Sequence, residues 1–239
     1  MSLLQLHGLV PGETTQLTLP VGHRLLPCGP IGALVSPIAN AAMFENPVPE
    51  ELARWVAHHN SILLAYCASR PVLPMAIGSV FSSTEAVKER VQEDCTAHLQ
   101  NLAVLKDMLE FTGQLHVTAD QTSPAPKGHD GRAFLKARKV QRDRRQNLAS
   151  DQLQMARNVL QELDSFSVQV TQAKTPKPSR VLDCAVLIRK TYLPQLRQLA
   201  RTLHLPSTNL GLDLEVSGPW PPYSYDPKPA RAGEAVHGH

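Results

Sequence analysis

Imidazole and thiolate groups are frequent metal ligands and catalytic groups, and this chain carries ten histidines and four cysteines. Cys28, Cys67, Cys95 and Cys184 are scattered, with no Cys-x-x-Cys pair, so they read as reduced, buried thiols. Cys28 lies in the turn Pro27-Cys-Gly-Pro30, where only His23 and Arg24 are near enough in sequence to favour a thiolate; it is taken as a turn residue. His58 and His59 are adjacent, but neighbouring side chains on a helix point about 100° apart and do not easily share one ion. His59 therefore reads as a helix histidine on a packed face, with Asn60 beside it holding nearby backbone. Neither a phosphate loop, a Gly-x-Gly-x-x-Gly after a strand, nor a Gly-x-Ser-x-Gly elbow occurs. The expectation is a chain with no catalytic residues, no cofactor and no metal.

Two other constellations say more. Between Arg132 and Arg145 lie seven basic residues, Arg132, Lys136, Arg138, Lys139, Arg142, Arg144 and Arg145, against one acid, Asp143. The formal net charge is only +3, so this +6 stretch sits on a body of −3, with 17 bases against 20 acids. On a helix Arg138, Arg142 and Arg145 fall along one line with Lys139 beside it, which suits a solvated face, a nucleic acid or an acidic protein surface. The second constellation is Ser217 to Tyr225, SGPWPPYSY. Aromatic residues are 5% of the chain, yet Trp220, Tyr223 and Tyr225 fall within six positions. Pro219, Pro221 and Pro222 remove backbone donors and keep the segment extended, so it cannot continue a central strand. Stiff chain bearing large amphipathic rings has to dock, against the chain's own second domain or on a partner.

The elements that hold these groups follow from periodicity. Residues 3–10 and 31–38 read as strands. Pro49, Glu50 and Glu51 open a helix in which Leu52, Trp55, Val56, His59, Leu63 and Tyr66 recur at helical steps, ending at Arg70-Pro71. Val72 to Phe81 reads as a largely buried strand closing at Gly78. Ser82 and Glu85 suggest a capping box, opening one helix with Val87, Val91, Cys95, Leu99, Leu102, Leu105 and Leu109 on a single face. After residue 112 the order becomes strand, helix, strand, strand, helix, strand. Leu115 and Val117 alternate first; then comes a long helix from Gly131 to Asp164 with Leu153, Ala156, Leu160 and Leu163 as its seam. Alternation at 166–170, the apolar run Val181 to Ile188, a helix from Thr191 to Leu203 tolerating Pro194, and alternation from Leu210 to Ser217 complete it.

This is the order of the split βαβ, ferredoxin-like unit. The expected fold is α+β with two domains: residues 1–112, and a ferredoxin-like domain at 113–226 with an antiparallel sheet and both helices on one face. Residues 227–239 read as a flexible tail. Hydrophobic residues at 42% and charged residues at 19% suit a folded chain, and no apolar run approaches the roughly 20 residues of a membrane span. The start, MSLLQLHGLVPGE, lacks a basic n-region and breaks at Pro11-Gly12, so no signal peptide is expected. A nucleic-acid reading of the basic helix fares poorly. RNA-binding sheets of this topology stack bases on aromatics, whereas this open face would offer Asp213, Glu215, Gln169 and Thr171.

The terminal strand running into Gly218-Pro-Trp-Pro-Pro-Tyr-Ser-Tyr225 closely resembles the C-terminal signature of the gas vesicle protein F/L family (GvpF/GvpL). Three earlier segments agree, in the family's order: His59-Asn60, Val72-Leu-Pro-Met-Ala-Ile-Gly-Ser-Val-Phe81, and Gly131-Arg-Ala-Phe-Leu-Lys-Ala-Arg138. The chain departs from the family where a basic residue is common near Ala76 and a tyrosine at Phe134. The resemblance implies a non-enzymatic accessory protein of gas vesicle assembly, cytoplasmic and at the vesicle. Its implied partners are the small hydrophobic shell protein (GvpA) and other accessory proteins, with no nucleic acid and no membrane. The expected partner-binding residues are Trp220, Tyr223, Tyr225, Arg138, Lys139, Arg142 and Arg145. His59, Asn60, Pro74, Gly78, Gly131, Gly218, Pro219, Pro221 and Pro222 are expected to shape the motifs. The rival class is a nucleic-acid-associated regulatory protein using the basic helix at 132–145.

Overall fold

The computed structural model describes residues 3–18, 20–39, 48–118, 131–174 and 179–226. Two compact units divide the chain: Met1–Lys106 together with Tyr223–His239, and Asp107–Pro222. Both combine an antiparallel sheet with helices.

The first unit is organised by β1 (Leu3–Pro11), which is buried along nearly all its length because strands pair on both of its edges. On one side it pairs with β3 (Ile31–Ile38), itself paired with β2 (Arg24–Cys28); on the other lie β4 (Leu73–Pro74) and β5 (Val80–Phe81). Leu6 pairs with Val35 and Gly8 with Leu34, so His7 is an extra residue, a bulge. The bulge turns both His7 and Gly8 toward α1 (Pro49–Cys67): His7 meets His59, and a Cβ on Gly8 would lie 2.7 Å from Leu63 Cδ2. Helix α1 begins on Pro49 with Glu50 and Glu51 in its first turn, and buries His59, Ile62, Leu63 and Tyr66 at steps of three, one and three. Ile62, Leu63 and Tyr66 pack with Val10, Leu34 and Val72.

Three expectations change in this unit. Strand β2 was not anticipated; its Pro27-containing sequence suggests only a turn, yet the strand is an edge, where proline costs least. The Val72–Phe81 strand is instead two short ones around a turn in which Gly78 has φ +88°. That turn closes on the bulge: Met75 N–H donates to the His7 carbonyl (2.9 Å) and Leu6 N–H to that of Ser79 (2.8 Å). Finally, the helix expected from Ser82 to Leu109 is two: α2 (Thr84–Glu93) and α3 (Cys95–Leu105), broken at Asp94. The N-cap of α2 is Ser83, whose Oγ accepts from Ala86 N–H at 3.1 Å, not Ser82. Val87, Val91, Leu102 and Leu105 are buried, but Leu99 faces out and Leu109 belongs to a strand.

In the second unit the strands run in the order β7-β8-β6-β9: β6 (Met108–Val117), β7 (Gln169–Gln172), β8 (Arg180–Arg189) and β9 (Leu212–Trp220), every pair antiparallel. Between them come α4 (Gly131–Phe166), a 3-10 turn at Lys190–Tyr192, and α5 (Leu193–Asn209). One sheet face contributes Phe111, Leu115, Leu182, Cys184, Val186, Ile188 and Leu212 to a core closed by Ala156, Val159 and Leu163 of α4 and Leu196 of α5. Ala156 and Leu163 of the expected seam are buried and Leu160 packs against the core, but Gln152 and Val159 are buried in place of Leu153, which is half-exposed. The opposite face is polar but not wholly open: Glu110 and Leu187, paired across β6 and β8, are both buried. The segment expected to avoid a central strand does enter a strand, β9, but that strand is the sheet's edge.

Candidate functional site

Helix α4 positions the basic residues. At 1.5 Å per residue, its 36 residues extend about 54 Å, longer than the 10-residue strands it crosses. Among the described side chains of the helix the first buried one is Gln152, whose amide donates to the Leu210 carbonyl at 2.8 Å. From 136 to 151 the described side chains are exposed or half-buried, including Lys136, Arg138, Lys139, Arg142 and Arg144. Arg142 meets Asp143 at 3.5 Å, a surface pair worth little. The side chains of Gly131, Arg132 and Arg145 lie outside the described residues.

The aromatic-proline segment is divided. Trp220 closes β9 opposite Glu110, half-buried, with its indole N–H donating to Ser217 Oγ at 3.3 Å. Pro221 is buried and Pro222 half-buried. Tyr223 and Tyr225 then belong to the first unit. The Tyr223 ring stacks on His59 with centroids 6.1 Å apart and planes at 23°, and its hydroxyl donates to Asn60 Oδ1 at 3.1 Å. The Tyr225 hydroxyl donates to Asn101 Oδ1 of α3 at 3.2 Å, and burial raises its pKa. The expectation was docking on the chain's own second domain or on a partner; these two rings instead contact residues of the first unit. His59 and Asn60, singled out separately, are the seat of Tyr223.

Beneath this seat lies a buried polar cluster that sequence reasoning missed. His7 and His59 approach at Nδ1 to Nδ1, 3.0 Å, and the Gln5 amide nitrogen is 3.5 Å from the same His59 atom. Two donors converging there assign His59 Nδ1 as the acceptor and His7 Nδ1–H as a donor. That leaves His7 Nε2 and Gln5 Oε1 buried without partners among the described residues. His58 packs edge-on to both His7 and Trp55 and reaches Ser36 Oγ at 3.4 Å. Burial, then the neighbouring His59, His58 and His23, push His7 down to about 3; burial, then His58, push His59 to about 4; burial and His23 lower His58. Each shift favours the neutral imidazole. A second network binds Tyr66: its hydroxyl accepts from Leu17 N–H (3.0 Å) and donates to His23 Nε2 (2.9 Å), while His23 Nδ1–H donates to the Pro20 carbonyl at 2.6 Å. The available signal was polar Gln5 and His7 alternating with leucines in an otherwise apolar strand.

No group of three or more metal-ligating side chains is arranged around a common point among the described residues. Burial raises the pKa of Cys184 to about 11 and raises that of Cys28, which makes poor nucleophiles of both.

The family model described as gas vesicle synthesis protein GvpL/GvpF matches residues 14–226. The chain belongs to this family. Among solved structures, GvpF from Anabaena sp. PCC7120 is similar at TM-score 0.70 and 16% identity, covering 100% of both chains. GvpF from Microcystis aeruginosa is similar at TM-score 0.68 and 14% identity, covering 94% of this chain and 98% of that one. At such identities the likeness speaks for the fold. No curated protein sequence matches the chain. In this GvpF/GvpL chain the motif residues fall in definite places: Pro74 pairs with Gly8, Gly78 forms the β4–β5 turn, and Gly218 and Pro219 form a bulge opposite Phe111. The family is one of gas vesicle synthesis proteins, and no helix among the described residues is long and apolar enough to cross a membrane.

Proposed function

We propose that this GvpF/GvpL chain is a non-enzymatic assembly factor of the cytoplasmic gas vesicle, binding the hydrophobic shell protein GvpA and other accessory proteins during nucleation or growth. The match to the gas vesicle family over residues 14–226 carries this reading. Its two units are read as two domains, and the strand order β7-β8-β6-β9 supports a ferredoxin-like second domain with a lengthened first helix. A shell protein with an apolar face aggregates before assembly, and a partner that covers that face reversibly suppresses this. Tyr223, 48% exposed with one ring face on His59, and Val56, 46% exposed and one helical turn before Asn60, supply part of the contact on the first unit, and half-buried Trp220 is a separate contact residue of the second. The exposed cations of α4 steer an acidic partner surface.

Capture of purified shell protein tests the contact. Trp220→Ala with Tyr223→Ala should weaken it by tenfold or more, as loss of aromatic anchors does. Undiminished capture by a double variant with wild-type circular dichroism refutes the role of these rings. Charge reversal at Arg138, Lys139 and Arg142 should slow association at low salt only. Tight, steeply salt-dependent binding of duplex DNA by the unaltered chain, with no shell-protein capture, would instead favour the nucleic-acid reading.

A further inference from the structure

His7, His58 and His59 form a cluster of neutral imidazoles. It is faced by Gln5 of β1, Ser36 of β3, Trp55 and Asn60 of α1, and Tyr223 of the terminal segment. The charges acting on its imidazoles come from one another and from His23. His7 and His59 are 0% and 4% exposed, so neither can take a proton without being wetted. The cover over His59 is Tyr223, part of a short segment also held through Tyr225 on Asn101. We propose that Tyr223–Asp226 is an acid-released strap: protonation at His59, beside His7 and His58, expels it from α1 and α3 and uncovers both tyrosine rings and the His59–Asn60 surface.

The direction follows from linkage. Covered, His59 titrates at about 4; freed, it approaches the ordinary value of about 6.5. Between these values the open form binds more protons, so strap closure is complete above pH 6.5 and is lost as pH falls toward 4. Full rehydration of His59 raises the opening equilibrium about 20-fold between pH 7 and pH 5. One force opposes this: an imidazolium is attracted to a tyrosine face, by a factor of about five at an exposed site. That is too little to reverse the sign. The inference stands on the first unit alone and does not depend on the assembly reading.

Hydrogen exchange of the full chain at pH 5, 6 and 7, corrected for intrinsic rates, reads the strap directly. Protection of residues 223–226 should fall about 20-fold from pH 7 to pH 5 while β1, β3 and β8 keep theirs. In His59→Asn, which retains a polar atom near the Nδ1 position and cannot titrate, the fall should shrink below threefold. If that variant does not fold, histidine NMR of the unaltered chain replaces it, and His59 must titrate with the midpoint of the loss. Unchanged protection, tightening in acid, an equal fall in His59→Asn, or a loss shared by β1 and β3 would each overturn the proposal.

Discussion

Gly218→Ala should destabilise the second unit by about 3 kcal/mol, for two reasons that can be measured apart. Glu110 pairs with Trp220 and Thr112 with Ser217, so Gly218 and Pro219 together oppose Phe111. Gly218 has φ +136°, a conformation that costs a side-chain-bearing residue about 1–3 kcal/mol. An added Cβ would also lie 2.8 Å from Phe111 Cδ1, 2.9 Å from the Glu110 carbonyl oxygen and 3.2 Å from Phe111 Cα. The ring can yield, but the carbonyl and Cα belong to an inner strand paired on both sides; displacing them adds about 1–2 kcal/mol. Two other glycines separate these causes. Gly29 has φ +71° and nothing within 4 Å of an added Cβ, so Gly29→Ala should cost the backbone penalty alone, about 1–2 kcal/mol. Gly113 lacks a positive φ, and its Cβ would meet Cys184 Sγ at 3.4 Å and Leu163 Cδ1 at 3.9 Å, beside an apolar gap. Gly113→Ala should be neutral or stabilising by up to about 1 kcal/mol. Urea denaturation is followed through the tryptophan of the unit concerned, Trp55 for the first and Trp220 for the second. With a slope of about 2 kcal/mol per molar, Gly218→Ala lowers the midpoint by about 1.5 M. A midpoint within 0.3 M of the unaltered protein, or a loss no larger than that of Gly29→Ala, would falsify the close-approach argument.

Tyr66→Phe removes the oxygen that accepts from Leu17 N–H and donates to His23 Nε2, and should cost about 1–2 kcal/mol in thermal unfolding of the first unit; an unchanged midpoint would mean that water replaces the hydroxyl. Leu163→Ala, at a site 4% exposed, should cost about 3 kcal/mol, whereas Leu153→Ala, 50% exposed, should cost under about 1 kcal/mol. Equal losses in the pair would show the packed face of α4 to be wrongly assigned.

Those leucines also mark how far the sequence can be read. Spacing of 3.6 found α1 and α4, because each buries a stripe against a sheet, but it left the stripe's exact rotation open; Leu153 and Val159 are both apolar and only one is covered. Apolar runs found β1, β3 and β8, and period-two alternation found β9 and the end of β6. Such patterning failed where local geometry competes. Val72–Phe81 is apolar enough for one strand, yet the chain turns at Gly78 because β4 and β5 must close around the bulge at His7. From Val87 to Leu109 apolar residues keep helical spacing across Asp94 and past Leu105, and neither the kink nor the change to a strand interrupts that pattern.

The site was legible in its parts and not in its assembly. Composition exposed the aromatic-proline segment and the basic run, since both depart from their surroundings. The Tyr223–Asn60 bond spans 163 positions, and no local pattern records such a pairing. The pairing alters what the aromatics do. A tyrosine whose hydroxyl is held by Asn60 and whose ring lies on His59 is both an anchor and, on its outer face, a contact surface. Tyr225, bound to Asn101 and less exposed, is chiefly an anchor. Removing Tyr223 therefore subtracts two things at once, the seat of the segment and the surface it offers. Tyr223→Phe separates them: it keeps ring and surface while losing the bond to Asn60. If binding of the shell protein rests on the ring, this variant retains it; if it rests on the seat, binding falls with protection of residues 223–226.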